Sequence, residues 1–458
     1  MTQSVSTLVI LGATGDLTSR LLLPALGQLL TNEPERRVKL VGSGMQEWTD
    51  AHWRSVIRAS FKTVKASGPA VDAALKAVEY VQADATSADD LKRIFDAGTG
   101  KTALYFAVPP AVAARACAAM EKLDLPTGLV LVLEKPFGTD EKSAIALNKE
   151  LAKLVPENQI HRVDHFLGQS TVLNLLGLRF ANRIFEPLWS SEHIERVDVI
   201  YDETLALEGR ARYYDQAGAL IDMIQSHLLQ VMAVIAMEPP STLGAQDLWD
   251  AKAIVLRATR SMNGDPVASS RRGRYTKGTI DGRSLPSYVD EEGVDPSRNT
   301  ETLAEATFEV QNWRWAGVPF TLRSGKALGE RRREIVITFR PAQHVPTGLK
   351  GVEQPTKLRI MLGPDAMELE LNINGPGDPF HLERAELTVE FGPGQLVAYG
   401  EVLAGVLDGD SSLSVRGDTA VECWRIVGPI VDAWAKNKVP IDDYRAGSAG
   451  PKSWPPLG

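Results

Sequence analysis

The first third of the chain alternates short apolar runs with stretches of helical length, and this alternation constrains the fold more than any other feature. The apolar runs are Thr7–Leu11 and residues 38–41, 104–108 and 129–133. A periodic stretch at residues 17–30 follows the first run, and the later intervals are rich in Ala, Lys and Glu. Strands that alternate with helices predict a doubly wound parallel sheet. We expect this α/β domain to occupy residues 1–180.

The pattern changes in the second part of the chain, where several segments alternate apolar and polar residues. These segments are residues 197–200, 306–310, 335–339, 358–362 and 368–373. Such alternation favours an antiparallel sheet, and apolar helices are predicted at residues 219–237 and 420–434. Residues 262–300 are rich in Gly, Pro, Ser, Arg and Asp, so we expect a long surface excursion there. Residues 181–458 are therefore predicted to form a large, mostly antiparallel β+α domain.

Composition excludes several classes of partner. The chain has 458 residues, with 50 Lys plus Arg against 58 Asp plus Glu and a net charge of −8. That balance argues against binding to nucleic acid or to an anionic membrane surface. Two cysteines, Cys117 and Cys423, cannot make a disulfide framework, and the scattered histidines lack metal-ligand spacing. No secretory signal is evident and no apolar run reaches the ~18 residues of a membrane helix, so we expect a cytoplasmic protein without a metal.

A glycine-containing turn joins the first predicted strand to the first predicted helix. Its residues are Gly12, Ala13, Thr14, Gly15, Asp16 and Leu17. Glycines there allow the backbone to approach a pyrophosphate, and the N-terminus of the helix supplies N–H donors to the anion. The third glycine of the usual dinucleotide fingerprint is absent, because Thr18 follows Leu17. The spacing predicts nucleotide binding, although an ordinary strand-to-helix turn has the same pattern.

The end of the second strand usually distinguishes NAD from NADP. An acidic residue there hydrogen-bonds to the ribose hydroxyls of NAD, whereas Arg accommodates the 2′-phosphate of NADP. This chain has Met45 and Gln46 at that point and no Arg or Lys. The neutral residues favour NAD without excluding NADP.

Three clusters are candidates for an active site. Glu134, Lys135 and Pro136 follow the buried strand at residues 129–133, and Asp164 adjoins His165 after a short apolar segment. His227 lies in the apolar run at residues 219–237, five residues after Asp222. Five residues of an α-helix turn by about 140°, so Asp222 and His227 need not touch. An Asp164–His227 dyad is one interpretation, and a histidine that only packs in the core is the other.

Motifs along nearly the whole chain resemble those of the glucose-6-phosphate dehydrogenase family. In order they are GATGDL, EKPFG, RVDHFLGQ, YYDQAGALIDMIQSHLLQ followed by AMEPP, RRGRY, NWRWAGVPFTLRSGKAL and GSAGP. The resemblance implies a Rossmann domain followed by a β+α domain, and a homodimer or homotetramer formed through the second sheet. It also implies hydride transfer from C1 of a pyranose to NAD or NADP, which yields a 1,5-lactone.

The resemblance also assigns roles to individual residues. It implies that His227 is the general base for the C1 hydroxyl and that Asp164 orients its imidazole. Substrate contacts are implied for Lys135, His165, Gln169, Glu203, Asp222, Lys326, Arg331 and Tyr399. Nucleotide contacts are implied for Gly12, Thr14, Gly15, Asp16, Leu17, Met45, Gln46, Pro109, Lys135 and Pro136.

The chain departs from the family pattern at two positions that serve phosphates. Gln169 stands where the family usually has a lysine that contacts the 6-phosphate, and Met45 stands where some members have Arg. Three functions therefore remain open. They are a dehydrogenase of glucose 6-phosphate, an NAD-dependent dehydrogenase of a hexose with a neutral, sulfonated or sulfated C6, and a non-catalytic nucleotide-binding regulatory relative.

Overall fold

A computed structural model describes residues 4–351, 354–392 and 394–458 of the chain. The chain divides into two compact units, each assembled from several segments. The first unit contains residues 1–169, 240–251 and 394–422, and the second contains residues 170–239, 252–393 and 423–458. The predicted boundary near residue 180 remains a prediction.

A parallel sheet forms the centre of the first unit. In the described part of that unit it has six strands in the order β3-β2-β1-β4-β5-β6. The strands are β1 Thr7–Leu11, β2 Lys39–Gly44, β3 Val78–Gln82, β4 Thr102–Phe106, β5 Val130–Leu133 and β6 Ile160–Arg162. This order is that of a doubly wound dinucleotide-binding fold, so the predicted α/β domain is confirmed. Its ligand crevice lies beyond the carboxyl ends of the strands, where β1 and β4 are neighbours.

Helices cover this sheet because its strands are apolar on both faces. Every residue of β1, β4 and β5 is buried, as is typical of parallel strands between two helical layers. The helices of the N-terminal segment are α1 Leu23–Asn32, α2 Asp50–Thr63, α3 Pro69–Lys76, α4 Ala88–Asp96, α5 Pro110–Met120 and α6 Glu141–Leu154. A π-helical turn, Thr18–Leu22, precedes α1 and occupies part of the helix predicted at residues 17–30.

The second unit is built on a mixed sheet whose main path is β17-β16-β15-β14-β7-β13-β12-β9-β18 among the described residues. The strands of this unit are β7 Ile194–Asp202, β8 Thr259–Ser261, β9 Ser270–Thr276, β10 Gly278–Ile280, β11 Arg283–Leu285, β12 Leu303–Val310, β13 Phe320–Gly325, β14 Arg332–Phe339, β15 Lys357–Leu362, β16 Asp365–Asn374, β17 Leu382–Glu390 and β18 Ile441–Arg445. Most neighbours pair antiparallel, as predicted, while β7 pairs parallel with β13 and β9 pairs parallel with β18.

The remaining helices lie in the later segments of the chain. They are α7 Ser170–Phe180, α8 Ala211–Ala219, α9 Leu229–Ala236, α10 Ala245–Ala258, α11 Ala398–Asp408 and α12 Gly417–Ala435. The predicted helix at residues 420–434 is thus confirmed within α12.

The prediction of a surface excursion at residues 262–300 is wrong for residues 270–276, which form β9, whereas most of residues 281–299 are exposed. Strand β9 is an interior strand of the large sheet, paired with β12 on one side and β18 on the other. The arginines of β9 suggested exposure to solvent, but Arg272 is buried and donates to the carbonyl of Val439 at 2.9 Å. The aromatic rings of Tyr275 and Tyr288 are also buried and pack edge to face. The polar composition suggested a surface location, but polar side chains can be buried when protein groups satisfy their hydrogen bonds, as happens here.

One helical stretch, Tyr213–Ala236, is long and apolar enough to cross a membrane by length and composition alone. Of its most apolar window, 78% is buried inside the protein, which is the environment of a core helix. Residues Leu220–Leu228 of this stretch are π-helical, and α9 continues from them. The sequence predicted the apolar helix but not its π-helical part. The expected cytoplasmic location remains a prediction.

His161 makes the first unit sensitive to acid. Its side chain is 1% exposed, with Nδ1 at 3.2 Å from the Ser414 hydroxyl, and burial lowers its pKa to about 4. The unfolded chain therefore binds a proton more tightly, and the free energy of unfolding falls as the pH drops from about 6.5 towards about 4. Between pH ~7.5 and pH ~5 the loss from this group is about 2 kcal/mol.

We expect His161→Gln to remove this decrease of about 2 kcal/mol in the free energy of unfolding. Urea unfolding at pH ~7.5 and pH ~5 measures the decrease. The matched control is His52→Gln, which removes an exposed imidazole of the same unit, and His161→Gln should reduce the pH dependence more than this control does. An unchanged pH dependence in His161→Gln would contradict the assignment.

Candidate active site

Several predicted site residues lie directly after the strands of the parallel sheet. Gly12 follows β1, Met45 follows β2, Lys135 comes two residues after β5, and Asp164 two residues after β6. Pro109 comes three residues after β4. Since the carboxyl ends of parallel strands share one edge, these residues line the ligand crevice of the first unit.

The turn after β1 fits the pyrophosphate of a dinucleotide. Gly12 has a φ of +85°, and a Cβ there would lie 2.2 Å from the carbonyl oxygen of Ala107, so only glycine is accommodated. The Gly15 N–H donates to the Gly12 carbonyl at 3.0 Å, which closes the turn. Thr18, which replaces the usual third glycine, donates its hydroxyl to the same carbonyl at 3.1 Å. The missing glycine is therefore replaced by a hydrogen bond that holds the turn.

The end of β2 presents neutral side chains. The Thr14 hydroxyl donates to Oε1 of Gln46 at 2.9 Å, and the Tyr80 hydroxyl donates to the Gln46 carbonyl at 3.0 Å. Met45 is 66% exposed, and its carbonyl accepts from Nε2 of Gln82 at 3.1 Å. The backbone of residues 45–46 is thus held from both sides, while the Met45 side chain extends into solvent.

Glu134, a candidate from sequence, is joined to two tyrosines by hydrogen bonds that the sequence did not predict. Its Oε1 accepts hydrogen bonds from the hydroxyls of Tyr105 and Tyr399, the second at 3.3 Å. Burial raises the pKa of the Glu134 carboxyl, and these hydrogen bonds offset part of the shift. The ring of Tyr399 stacks on the imidazole of His165 with centroids 5.4 Å apart and planes 11° apart. Tyr399 is therefore held by Glu134 and in turn orients His165.

The segment after β6 combines a cap with an unsatisfied amide. Asp164 is buried, and its Oδ1 accepts the N–H of Phe166 at 3.0 Å, which caps the short 3₁₀ helix His165–Gly168. The next residue, Gln169, has a buried Oε1 that finds no hydrogen-bond partner within the described ranges. Buried acceptors are rarely left unpaired, so this atom is suited to a donor from a ligand.

In the second unit, two cations converge on Glu203. Lys326 Nζ lies 2.8 Å from Oε2, and Arg333 Nη2 lies 2.7 Å from Oε1. Lys326 is buried and sits over the ring of Tyr214, with Nζ 5.1 Å from the centroid. Arg331, for which the family resemblance implied a substrate contact, is exposed, and that contact remains a prediction. The pairing of β14 with β7 explains the contact of Arg333, because Arg333 lies opposite Tyr201, two residues before Glu203.

Asp222 and His227 both lie on the π-helical segment Leu220–Leu228. The expectation that five residues turn by about 140° is wrong here, because it assumed α-helical geometry. In a π-helix the hydrogen bonds run from i to i+5, so a residue five positions on lies about one turn later on the same side. The side chain of His227 is 2% exposed. The Asp222 carboxylate lies near the Tyr213 hydroxyl, and burial together with this negative charge raises the pKa of Tyr213.

The predicted site residues are divided between the two units. The first unit holds Gly12, Thr14, Gly15, Asp16, Leu17, Met45, Gln46, Pro109, Lys135, Pro136, Asp164, His165, Gln169 and Tyr399. The second unit holds Glu203, Asp222, His227, Lys326 and Arg331. Within the units, the structure joins His165 to Tyr399 and Glu203 to Lys326. The pairing of Asp164 with His227 remains a prediction.

Comparison with known families accounts for both parts of the chain. Residues 9–174 match the model described as the NAD binding domain of glucose-6-phosphate dehydrogenase, and residues 176–457 match its C-terminal domain. The chain belongs to the glucose-6-phosphate dehydrogenase family. The family resemblance read from the motifs is thereby confirmed, and the nucleotide-binding turn lies inside the matched NAD binding domain.

Similar members of the glucose-6-phosphate dehydrogenase family come from bacteria. Glucose-6-phosphate 1-dehydrogenase of Gluconobacter oxydans is 38% identical over 97% of this chain and 94% of its own length. The enzyme of Zymomonas mobilis is 35% identical over 99% of this chain and 97% of its own length. Among solved structures, glucose-6-phosphate 1-dehydrogenase from Mycobacterium avium superposes with a TM-score of 0.85 at 31% identity, covering 98% and 96% of the two chains. A glucose-6-phosphate dehydrogenase in complex with glucose 6-phosphate gives 0.89 at 28% identity, covering 99% and 97%.

Proposed function

We propose that this protein oxidises glucose 6-phosphate at C1 to the 1,5-lactone, with NAD or NADP as hydride acceptor. The observation that carries the proposal is the presence of His227 and Asp164 in a member of the family whose similarity covers almost the whole chain. A non-catalytic regulatory relative is not expected to retain an imidazole and a carboxylate in these motifs. Lys135 and Lys326 are retained as well.

In the proposed mechanism, His227 acts on the C1 hydroxyl. Its neutral imidazole removes the hydroxyl proton while the hydrogen on C1 leaves with its electron pair, and the C1–O bond becomes the lactone carbonyl. The nicotinamide, when bound, accepts that hydride. We propose that Asp164 orients the imidazole and stabilises the cation formed when it takes the proton, as carboxylates do for catalytic histidines. The proton then passes to solvent, so the products are lactone, reduced nucleotide and one proton.

The Glu203 cluster is proposed to bind the sugar ring. Lys326 and Arg333 hold the two carboxylate oxygens of Glu203 in fixed positions, so a sugar hydroxyl can donate to an oriented acceptor. Asp222 is proposed to contact a second hydroxyl. Since these groups are positioned before substrate arrives, little ordering is needed on binding.

The group at C6 is proposed to be read by His165, Arg331 and Gln169. A phosphate dianion prefers cationic donors, and His165 and Arg331 supply two such groups. Gln169 offers an amide, and its buried unpaired Oε1 favours a hydroxyl donor. This observation supports a second candidate substrate, a hexose that lacks the 6-phosphate.

We propose NAD as the preferred nucleotide. Met45 and Gln46, the first two residues after β2, are neutral, and the Thr14 hydroxyl donates to Oε1 of the Gln46 amide. A 2′-phosphate would gain no charge-assisted hydrogen bond from Met45, whereas the ribose hydroxyls of NAD need none.

We propose a homodimer or homotetramer that forms through the large sheet, because one edge of this sheet exposes apolar side chains. The hairpin of β16 and β17 lies at one end of that sheet, and β17 is the outermost strand. Large apolar side chains are exposed on and beside it, namely Ile373, Phe380, Leu387 and Val389. A row of exposed apolar residues on an edge strand is typical of a contact surface.

The proposal is tested by a panel of substrates. Glucose 6-phosphate, glucose and a 6-sulfonated hexose are each assayed with NAD and with NADP, following the absorbance of the reduced nicotinamide. We expect activity with glucose 6-phosphate and a higher kcat/KM with NAD. A much higher kcat/KM for unphosphorylated glucose would favour the second candidate, and inactivity with every sugar would overturn the proposed function.

Replacing Gln169 by Lys should increase selectivity for the phosphorylated sugar. The added charge supplies a charge-assisted hydrogen bond, so the kcat/KM ratio of glucose 6-phosphate to glucose should rise about tenfold. The matched control is Gln395→Lys, which adds the same charge at an exposed position of the same unit and should leave the ratio unchanged. An unchanged ratio in Gln169→Lys would show that this residue does not read C6.

A further inference from the structure

The apolar helical segment that carries His227 is buried at both ends. Its α-helical part, α9, has every residue buried, so the terminal backbone groups need protein partners. At the C-terminal end, Arg179 donates to the carbonyls of Ile235 and Met237 at 3.0 and 2.9 Å. The indole N–H groups of Trp189 and Trp315 donate there as well, at 2.8 Å each. This end is therefore fixed by three large buried side chains.

Glu301 satisfies the opposite end. Its Oε1 accepts the N–H of Leu220 at 3.0 Å, and its carbonyl accepts the N–H of Ala219 at 3.4 Å. Leu220 is the first residue of the π-helical segment Leu220–Leu228. A carboxylate at a helix N-terminus and a guanidinium at the C-terminus both match the helix dipole. The segment is thus held at its two ends by groups of opposite charge.

The backbone next to Glu301 is shaped for this contact. Gly218, the second-last residue of α8, has a φ of +65°, which interrupts the helical backbone just before the π-helical segment. A Cβ at Gly218 would lie 2.2 Å from Oε1 of Glu301, so the carboxylate lies directly against the glycine. Only glycine permits both the backbone angle and the approach of the carboxylate.

We propose that Glu301 is a positioning residue for His227, holding the π-helical segment in register through Leu220. The inference rests on the proposed function, in which His227 is the base. His227 lies seven residues after Leu220 on the same π-helical segment. π-Helical turns are rare and are associated with functional sites. If the contact of Glu301 with the Leu220 N–H is lost, the π-helical turn can relax to α-helical hydrogen bonding. Each residue of register shift then rotates the following side chains by about 100°, which moves the His227 imidazole away from the reacting hydroxyl.

The surroundings of Glu301 indicate that the length of its side chain matters more than its charge for the hydrogen bond to Leu220. Burial raises the pKa of Glu301 to about 7, and the Leu220 N–H and the Arg272 guanidinium offset only part of the shift. Burial raises the pKa of Tyr214 and of Tyr288, and the nearby Glu301 carboxylate contributes to both shifts. The carboxyl lines a cavity of about 740 Å³ together with Arg272, Arg298 and Asp215. A neutral side chain of equal length can therefore replace Glu301 as an acceptor.

The test compares Glu301→Gln, Glu301→Asp and Glu301→Ala in the full-length protein. Gln keeps an acceptor at the same reach, so we expect kcat within about threefold of the unaltered protein. Asp keeps the charge but is shorter by one methylene, and Ala has no acceptor, so both should lower kcat at least tenfold. The dissociation constant of the nucleotide should not change. Since hydride transfer becomes slower, the isotope effect on kcat with C1-deuterated sugar should rise in the Asp variant.

The matched control is Glu305 on β12, the strand that begins two residues after Glu301; Glu305 is also buried but bonds to Arg271 at 3.0 Å instead of the helix. Glu305→Gln should leave kcat unchanged even if it lowers the melting temperature. The inference is overturned if Glu301→Asp and Glu301→Gln have equal kcat, or if Glu301→Ala lowers only thermal stability. If the Ala variant does not fold, the Asp and Gln variants decide. His227→Asn is assayed in parallel to separate the role of His227 as the base from the role of Glu301 as a positioning residue. Full activity of His227→Asn would refute the first role and would leave the contact of Glu301 with the helix unaffected.

Discussion

Replacing His227 by Asn lowers kcat by about a hundred- to ten-thousand-fold and leaves nucleotide binding intact. This is the range expected when a positioned general base is removed. Asn is smaller than His and polar, so the buried site keeps a hydrogen-bonding side chain while losing the group that takes the proton. The measurement is steady-state kinetics with glucose 6-phosphate, combined with titration of the nucleotide by fluorescence.

His161→Gln provides the control for this variant, since it removes another buried imidazole from the chain. Near neutral pH, it should retain kcat, because His161 is paired with Ser414 in the first unit and has no proposed part in the chemistry. Substantial turnover by His227→Asn would exclude His227 as the base. A loss of nucleotide binding in the same variant would point to a folding defect instead.

Replacing Asp164 by Asn gives the second large effect, a decrease in kcat of about a hundredfold or more with little change in KM. Asn still offers an oxygen to the N–H of Phe166, so the cap of the 3₁₀ helix His165–Gly168 is preserved. The negative charge is lost, however, and with it the stabilisation of the imidazolium formed in the reaction. Kinetics and thermal unfolding of the variant measure the two properties separately.

Asp140→Asn is the matched control, because Asp140 also caps a helix of the first unit, accepting the N–H of Ser143 at 2.7 Å. Both variants lose one capping charge, but only Asp164→Asn should lose activity. Equal kcat values for the two variants would mean that Asp164 has only a capping role.

The sequence predicted the nucleotide-binding part of the fold well. Apolar runs such as Thr7–Leu11 are buried on both faces, and their regular alternation with helices leaves one plausible layer arrangement. The mixed sheet was harder, because β9 contains arginines whose buried partners come from distant segments. Local composition carries no information about such partners.

The site was predicted only in part for similar reasons. Motifs identified His227, Asp164, Lys326 and Glu203 through family resemblance. The contact of Arg333 with Glu203 was not predicted, because it depends on the pairing of β14 with β7. Glu301 carried no recognisable signal, since its partner Leu220 is 81 positions away and is bound through its backbone N–H. The π-helical turn was also missed, because apolar periodicity alone does not distinguish it from an α-helix.

The most direct test of C1 oxidation uses glucose 6-phosphate carrying deuterium at C1. The proposed mechanism predicts that the deuterium appears on the reduced nicotinamide, that the lactone forms in equal amount, and that the label slows the chemical step. Reduced nucleotide that contains no deuterium would contradict hydride transfer from C1. Mass spectrometry of the nucleotide, after reaction with the unaltered protein, gives the answer in a single measurement.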